Sequence, residues 1–221
     1  MSTSMSEILI KAIFETLYMV VLTGVFAFFF GFLSGILLVV TDEGGISPNK
    51  VFNRIFGGII NIVRSFPSMI FIVVLLPLSR LIVGTALGET AAVVPLVILT
   101  SCFIARVVES SLKEVDKGKI EASISMGATP IQIIFQVIIP ESLPSLVRAI
   151  TLSVITIIGA TAIAGVVGAG GLGSIAIRYG YQRFQDEYII ATVIILIIIV
   201  QGVQILGDYI VKKIYRRRHS G

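Results

Sequence analysis

The residues whose types and spacing could carry chemistry are few. Gly168-x-Gly170-x-x-Gly173 has the spacing of a dinucleotide fingerprint, with Asp186 and Glu187 following downstream. That fingerprint works between a strand and the helix it opens, inside a βαβ unit. Here it follows a long apolar run, so it reads as a turn that ends a membrane helix and lets helices approach closely. No Gly-x-x-x-x-Gly-Lys-Ser/Thr run occurs, since Gly118-Lys119 continues with Ile120, and the chain has no phosphate cradle of its own. One cysteine, Cys102, excludes an internal disulfide or a cysteine metal cluster, and the one histidine, His219, stands in a basic tail. No catalytic residue, metal ligand or resident cofactor is assigned.

Arg64, in Arg64-Ser65-Phe66-Pro67-Ser68, is the one basic residue that resists placement in a loop. An ionisable side chain at the centre of a span costs at least ~2.5 to 3.5 kcal/mol and usually faces the bundle interior or a cavity. Three readings stay open: an interior anchor, a side chain snorkelling at a kink, or a contact on a solute pathway. The pathway candidates are Arg64, Ser65 and Pro67, together with Thr156, Gly159, Thr161 and Gly165. Weak hydroxyl polarity passes a zwitterion without trapping it, although membrane threonines also bond their own helix backbone. Asp208 and Lys212 have the spacing of a helix pair and no further assigned role.

The elements that must position these residues follow from composition. Of 221 residues, 56% are hydrophobic and 14% charged, and the mean hydropathy is +1.02. This is an all-α membrane protein with one transmembrane domain spanning 1–221. A crossing needs roughly 20 apolar residues, and the runs place spans near 13–40, 55–80 (broken near 64–67), 91–108, 146–167 and 188–211. The first run is too long for the apolar part of a signal peptide and lacks a small-residue cleavage site. Gly31 and Gly35 in it stand one turn apart, a spacing that admits a second helix. A straight helix over Val51–Gly84 would reach about 51 Å and overshoot the bilayer, so Pro67 must break it. Net charge is +4, and its placement predicts orientation, not nucleic-acid binding. With Lys212, Lys213, Arg216, Arg217 and Arg218 in the cytoplasm, Lys50, Arg54, Arg106, Lys113, Lys117, Lys119 and Arg148 also fall inside. Lys11, Arg80, Arg178 and Arg183 fall outside, which puts the N-terminus outside.

Between the third and fourth spans lies a polar loop over 109–145. Within it Lys117–Pro130 reads as a helix, a stop and a second start, with Gly127 as the left-handed residue after the first helix end, Thr129 as an N-cap and Pro130 as a first helical residue. A second, apolar helix over Ile131–Ile139 then ends at Pro140, with Pro144 preceding the fourth span. A short polar helix on an apolar pedestal suits docking into a groove on another protein.

Glu121-Ala122-Ser123, Gly127 and Val137-x-Ile139-Pro140 resemble the EAA signature of ABC importer permeases, and the spacing matches throughout. Ser123, Val137 and Ile139 depart from the usual Ala, Ile and Leu with little change in size. Asn61–Pro67, Arg80–Thr85, Phe103–Glu109 and Gly168–Gly173 are similar to the methionine-importing branch of that family. The resemblance implies a type I ABC importer permease fold with five transmembrane helices and a coupling element at Glu121, Ala122, Ser123, Met126, Gly127, Ala128, Thr129 and Pro130. It further implies a multi-pass homodimer in the bacterial cytoplasmic membrane. Its expected partners are two cytoplasmic ATPase subunits, which carry ATP and Mg, and an extracytoplasmic binding protein, a lipoprotein. The expected function is import of methionine, either enantiomer or close analogues, by alternating access, without catalysis by this chain. A permease for another amino acid or small peptide is the nearest alternative. An ion-coupled secondary transporter is a more distant one, since such proteins commonly show repeated halves and ionisable or broken-helix sites at the midplane, and neither a repeat nor an acidic residue well inside a span is seen.

Overall fold

The computed structural model describes residues 4–219, and every regular element among them is helical. Four helices are long and apolar enough to cross a membrane, or five crossings result if a pair bent by 103° is one span. The side chains beyond Arg216, His219 included, lie outside the described residues.

Helix α1 (Met5–Thr41) begins earlier than the apolar run alone predicts because Ser4 caps it. The Ser4 hydroxyl accepts from the Glu7 amide while the Glu7 carboxylate accepts from the Ser4 amide, a reciprocal box that satisfies two orphan donors. Its buried positions, among them Thr16, Met19, Thr23, Ala27, Gly31, Gly35 and Leu38, recur every three or four residues. Phe14, Val21, Val25 and Phe29 on the other faces are exposed. A helix apolar all round, with one stripe buried in protein, leaves its remaining faces to lipid. Gly31 and Gly35 let α1 lie against α5 (Glu89–Lys113). A Cβ added at Gly31 would stand 2.6 Å from Ile104 Cβ, and one at Gly35 would stand 2.6 Å from Val108 Cγ1. The expected close approach at these two glycines is present.

The region expected to be one broken span over 55–80 is three helices, α2 (Lys50–Ser65), α3 (Ser68–Val74) and α4 (Leu76–Val83). Asn49 starts α2 by accepting from the Phe52 amide at 3.0 Å. Between α2 and α3 both Phe66 (ψ 137°) and Pro67 (ψ 126°) are extended. Proline disfavours helical geometry in the residue before it, so two consecutive extended residues turn the chain instead of merely kinking it.

Helix α5 outruns the expected 91–108, so Lys113 is a helical residue and not part of the expected loop over 109–145. After α6 (Lys117–Ser125) the chain is helical from Pro130 to Val166: α7 (Pro130–Gln132), a π-helical stretch over Ile133–Ile138, and α8 (Ile139–Val166). The expected stop at Pro140 does not occur. In the π stretch the Ile139 amide reaches back to the Ile134 carbonyl, and Pro140 then falls in the first turn of α8, where a missing donor costs little. Pro144 is carried inside α8. The polar loop over 109–145 therefore shrinks to two non-helical joints, 114–116 and 126–129.

The chain continues through α9 (Gly171–Ile175), a second π stretch over Ala176–Tyr181, and α10 (Asp186–His219). The pair expected between Asp208 and Lys212 is absent among the described residues, and Gln204 donates to Asp208 at 3.3 Å instead. One core cluster unites Ala27, Ile104, Val108, Leu112, Ile133, Ile138 and Leu146 beneath α6 and α7. Another, built on Met19, Ile72, Leu96, Ala164 and Ala169, fills the opposite half.

Candidate functional site

The corner between α6 and α7 is built by local chemistry. Asp116 caps α6 by accepting from the Gly118 amide at 2.7 Å, and Gly127 ends it with φ 82°, the left-handed conformation that favours glycine. Thr129 then opens α7 in a reciprocal box with Gln132, whose side-chain oxygen accepts from the Thr129 amide at 2.8 Å. Glu121, Ala122, Ile124, Ser125, Met126, Thr129 and Pro130 are exposed, with Met126 80% and Ile131 69% accessible. Ser123 and Ala128 do not share that face. Ser123 is buried and donates to the Lys119 carbonyl at 2.7 Å, while Ala128 packs with Ile120 on the core below. These two hold the corner to its pedestal, and Lys119 pairs with Glu141 at 2.5 Å to fasten α6 to the start of α8.

Beneath the corner lies a charge network that the loop reading missed. Glu109, only 8% exposed, accepts from Arg106 at 2.6 Å and from Lys113 at 2.9 Å. Lys113 also pairs with Asp42 at 2.8 Å, and Arg106 Nη2 donates to the Gly57 carbonyl at 2.7 Å. The network joins the end of α1, the middle of α2 and the end of α5. The hydrogen bond from Lys113 holds the Asp42 carboxyl below its ordinary value. The signal was available in sequence, because Arg106, Glu109 and Lys113 stand at the three- and four-residue spacings at which helical side chains meet.

The pathway candidates divide. Arg64, Thr156 and Gly159 line one cavity of about 410 Å³ between the α2–α3 bend, α5 and α8, where Thr100 and Phe103 join them. Ser65 and Pro67 border a separate shallow concavity on the outer side of the bend. Thr161 and Gly165 lie away from both. The Thr161 hydroxyl is buried against the Ile158 carbonyl at 2.7 Å, and a Cβ at Gly165 would stand 2.5 Å from the Ser174 amide nitrogen. Gly165 is thus a packing position against the start of α9. Thr100 carried no sequence signal, since only the fold turns it toward Arg64.

The glycine turn at 168–173 joins two helices. Gly168, Gly170 and Gly171 have positive φ. The Gly171 amide donates to the Glu15 carboxylate at 2.7 Å and the Leu172 amide to the Thr16 hydroxyl at 2.9 Å, tying α9 to α1 across 156 residues of sequence.

Comparison with known proteins adds three findings. Residues 27–219 match the family described as binding-protein-dependent transport system inner membrane component. The chain is 43% identical to a probable D-methionine transport system permease protein of Vibrio cholerae, over 96% of this chain and 94% of that protein. It is 46% identical to the methionine import system permease protein of Bacillus subtilis, over 94% and 93% respectively. Among solved structures, a chain from inward-facing conformations of the MetNI methionine ABC transporter superposes with a TM-score of 0.94 at 44% identity, covering 97% of this chain and 99% of that one. An amino acid ABC transporter chain at 21% identity and TM-score 0.75 shares the fold.

Proposed function

From a chain that belongs to the binding-protein-dependent transport system inner membrane component family, we infer the membrane permease of a methionine ABC importer. It is a multi-pass inner-membrane subunit without catalytic chemistry, and ATP hydrolysis belongs to a partner ATPase. The observation that carries the reading is the α6–α7 corner: an exposed, capped docking face fixed to the core by Ser123, Ala128 and the Lys119–Glu141 pair. A face that is rigid yet unpartnered within its own chain fits the groove of another subunit. Its rigidity means that motion of that subunit passes into α5 and α8 instead of being absorbed locally.

The full assembly we propose has two copies of this chain, two cytoplasmic ATPases that hold ATP and Mg, and an extracytoplasmic binding protein tethered as a lipoprotein. This chain binds no cofactor in that scheme. Its C-terminal basic residues and the corner lie in the cytoplasm, and its N-terminus lies outside. ATP-driven closure of the ATPases moves the corners and alternates the access of a pathway between the paired chains, through which either methionine enantiomer passes.

The test is reconstitution of the chain with its ATPase and binding protein in proteoliposomes. ATP-dependent accumulation of methionine, absent when ATP is replaced by a non-hydrolysable analogue, is the expected result. Accumulation driven by an ion gradient without ATP would overturn the reading.

A further inference from the structure

The cavity at the α2–α3 bend contains polar groups that the fold does not use. Arg64 makes no ion pair and no hydrogen bond among the described residues, and lies instead over the Phe103 ring, its guanidinium carbon 6.0 Å from the centroid. Arg64 is exposed in the last turn of α2, so its guanidinium is open to an anion that enters the cavity, and an arginine fork suits a carboxylate. Thr100 is only 2% exposed and lines the same cavity, yet its hydroxyl has no partner among the described residues. Its neighbours behave differently: Ser101 donates to the Val97 carbonyl at 2.6 Å and Thr156 to the Leu152 carbonyl at 2.8 Å. A hydroxyl at a cavity wall that makes no bond to its own helix backbone is available to something that enters the cavity.

The walls define the remainder of that occupant. Phe66, Leu99, Phe103 and Ile163 make one side apolar and aromatic, which suits a thioether, because sulfur contacts aromatic edges favourably. Gly159 opens the space further, since an added Cβ there meets nothing within 4 Å. A volume of about 410 Å³ lies in the range of small-molecule sites.

We propose that this cavity is a transit subsite of the permease itself, in which Arg64 holds the α-carboxylate of methionine, Thr100 accepts from its α-ammonium, and the thioether lies against Phe66 and Phe103. The proposal rests on the importer reading and adds to it a substrate contact made by this chain instead of by the binding protein. The substrate carboxylate supplies the partner that Arg64 lacks, so an emptied subsite leaves the guanidinium free for the next substrate.

The experiment uses the complete permease–ATPase complex without binding protein, so that any ligand preference is that of the membrane subunits. In a Cys102→Ala background, Ser68→Cys places a thiol at the cavity wall, and its alkylation by N-ethylmaleimide is timed with methionine, with methioninol, and with neither. Methioninol keeps the amine and the thioether but lacks the carboxylate. Methionine should slow alkylation several-fold and methioninol should not. Arg64→Gln should abolish the protection and, in proteoliposomes with the binding protein restored, lower ATP-driven uptake of methionine by about tenfold, as loss of one charge-assisted hydrogen bond predicts, while Arg64→Lys keeps part of both. Thr100→Val, nearly isosteric, should weaken protection without altering assembly. Equal protection by both compounds, or none by either, in a complex that imports methionine normally would overturn the subsite and leave the importer reading standing. Failure of the wild-type complex to import methionine at all would overturn both.

Discussion

Gly127, just past the end of α6, and Gly173, inside α9, serve opposite ends. At Gly127 an added Cβ would meet nothing within 4 Å, and the requirement is the backbone angle alone, φ 82°. At Gly173 an added Cβ would stand 2.2 Å from the Ala162 carbonyl oxygen and 2.6 Å from its Cα, so the requirement is space against another stretch of backbone. The region around Gly127 is shaped by its own sequence and kept clear for a partner. The region around Gly173 is shaped by α1 and α8 and closed to everything else. The corner can therefore change its contacts without unfolding, whereas the turn cannot.

Gly173→Ala should have the largest effect on the fold. Backbone atoms cannot step aside as a flexible side chain can, and overpacking of this kind costs about 3 kcal/mol or more. A marked drop in thermal midpoint in detergent is expected, and an unchanged midpoint would remove the distinction between the two glycines. Glu109→Ala should follow at about 2 kcal/mol, below the full cost of breaking a buried pair because Lys113 is 45% exposed and partly solvated. The midpoint should fall, and the size of the fall should depend little on salt, because the wild-type pair with Arg106 is shielded from it.

Gly127→Val should come third on the stability scale, at about 1 to 2 kcal/mol of strain in the left-handed region, confined to the corner. Its thermal midpoint in the isolated subunit should change less than that of either preceding variant, even though its functional effect is the largest. Asp42→Asn is the smallest. A carboxyl held below its ordinary value of 3.8 contributes stability that is present above that value and lost as pH falls through the lowered one. Asp42 is partly exposed, so the contribution is below about 1 kcal/mol, and a midpoint-against-pH series should be slightly flatter in the variant at the acid end.

The same contrast explains what could be read from the sequence. The corner was legible because Gly127, Thr129 and Pro130 act on neighbours within a few residues, and caps and positive-φ positions are written locally. The break at Pro67 was legible for the same reason, although not its angle, which depends on Phe66 also being extended. Pro140 misled because a π-helical stretch moved it into the first turn of α8, where its missing amide does no harm. Lys113 misled because charge alone reads as loop, and only its partners Glu109 and Asp42 show why a helix can carry it. Of the pathway candidates, Arg64, Thr156 and Gly159 converge on one cavity. Thr161 and Gly165 do not, since a hydroxyl or a glycine within a span looks the same whether it faces a cavity or a packed neighbour.

The central claim is that the α6–α7 corner transmits ATPase motion to the membrane helices, and it is tested most directly by uncoupling. In proteoliposomes containing the permease, its ATPase and the binding protein, methionine uptake and ATP hydrolysis are measured together for wild type, Gly127→Val and Glu121→Lys. Both variants should insert normally yet lose uptake and the stimulation of hydrolysis by loaded binding protein, with Glu121→Lys weakened most at low salt, where surface charge is least screened. Wild-type uptake in both variants with the ATPase still bound would make the corner an ordinary connector and contradict the account.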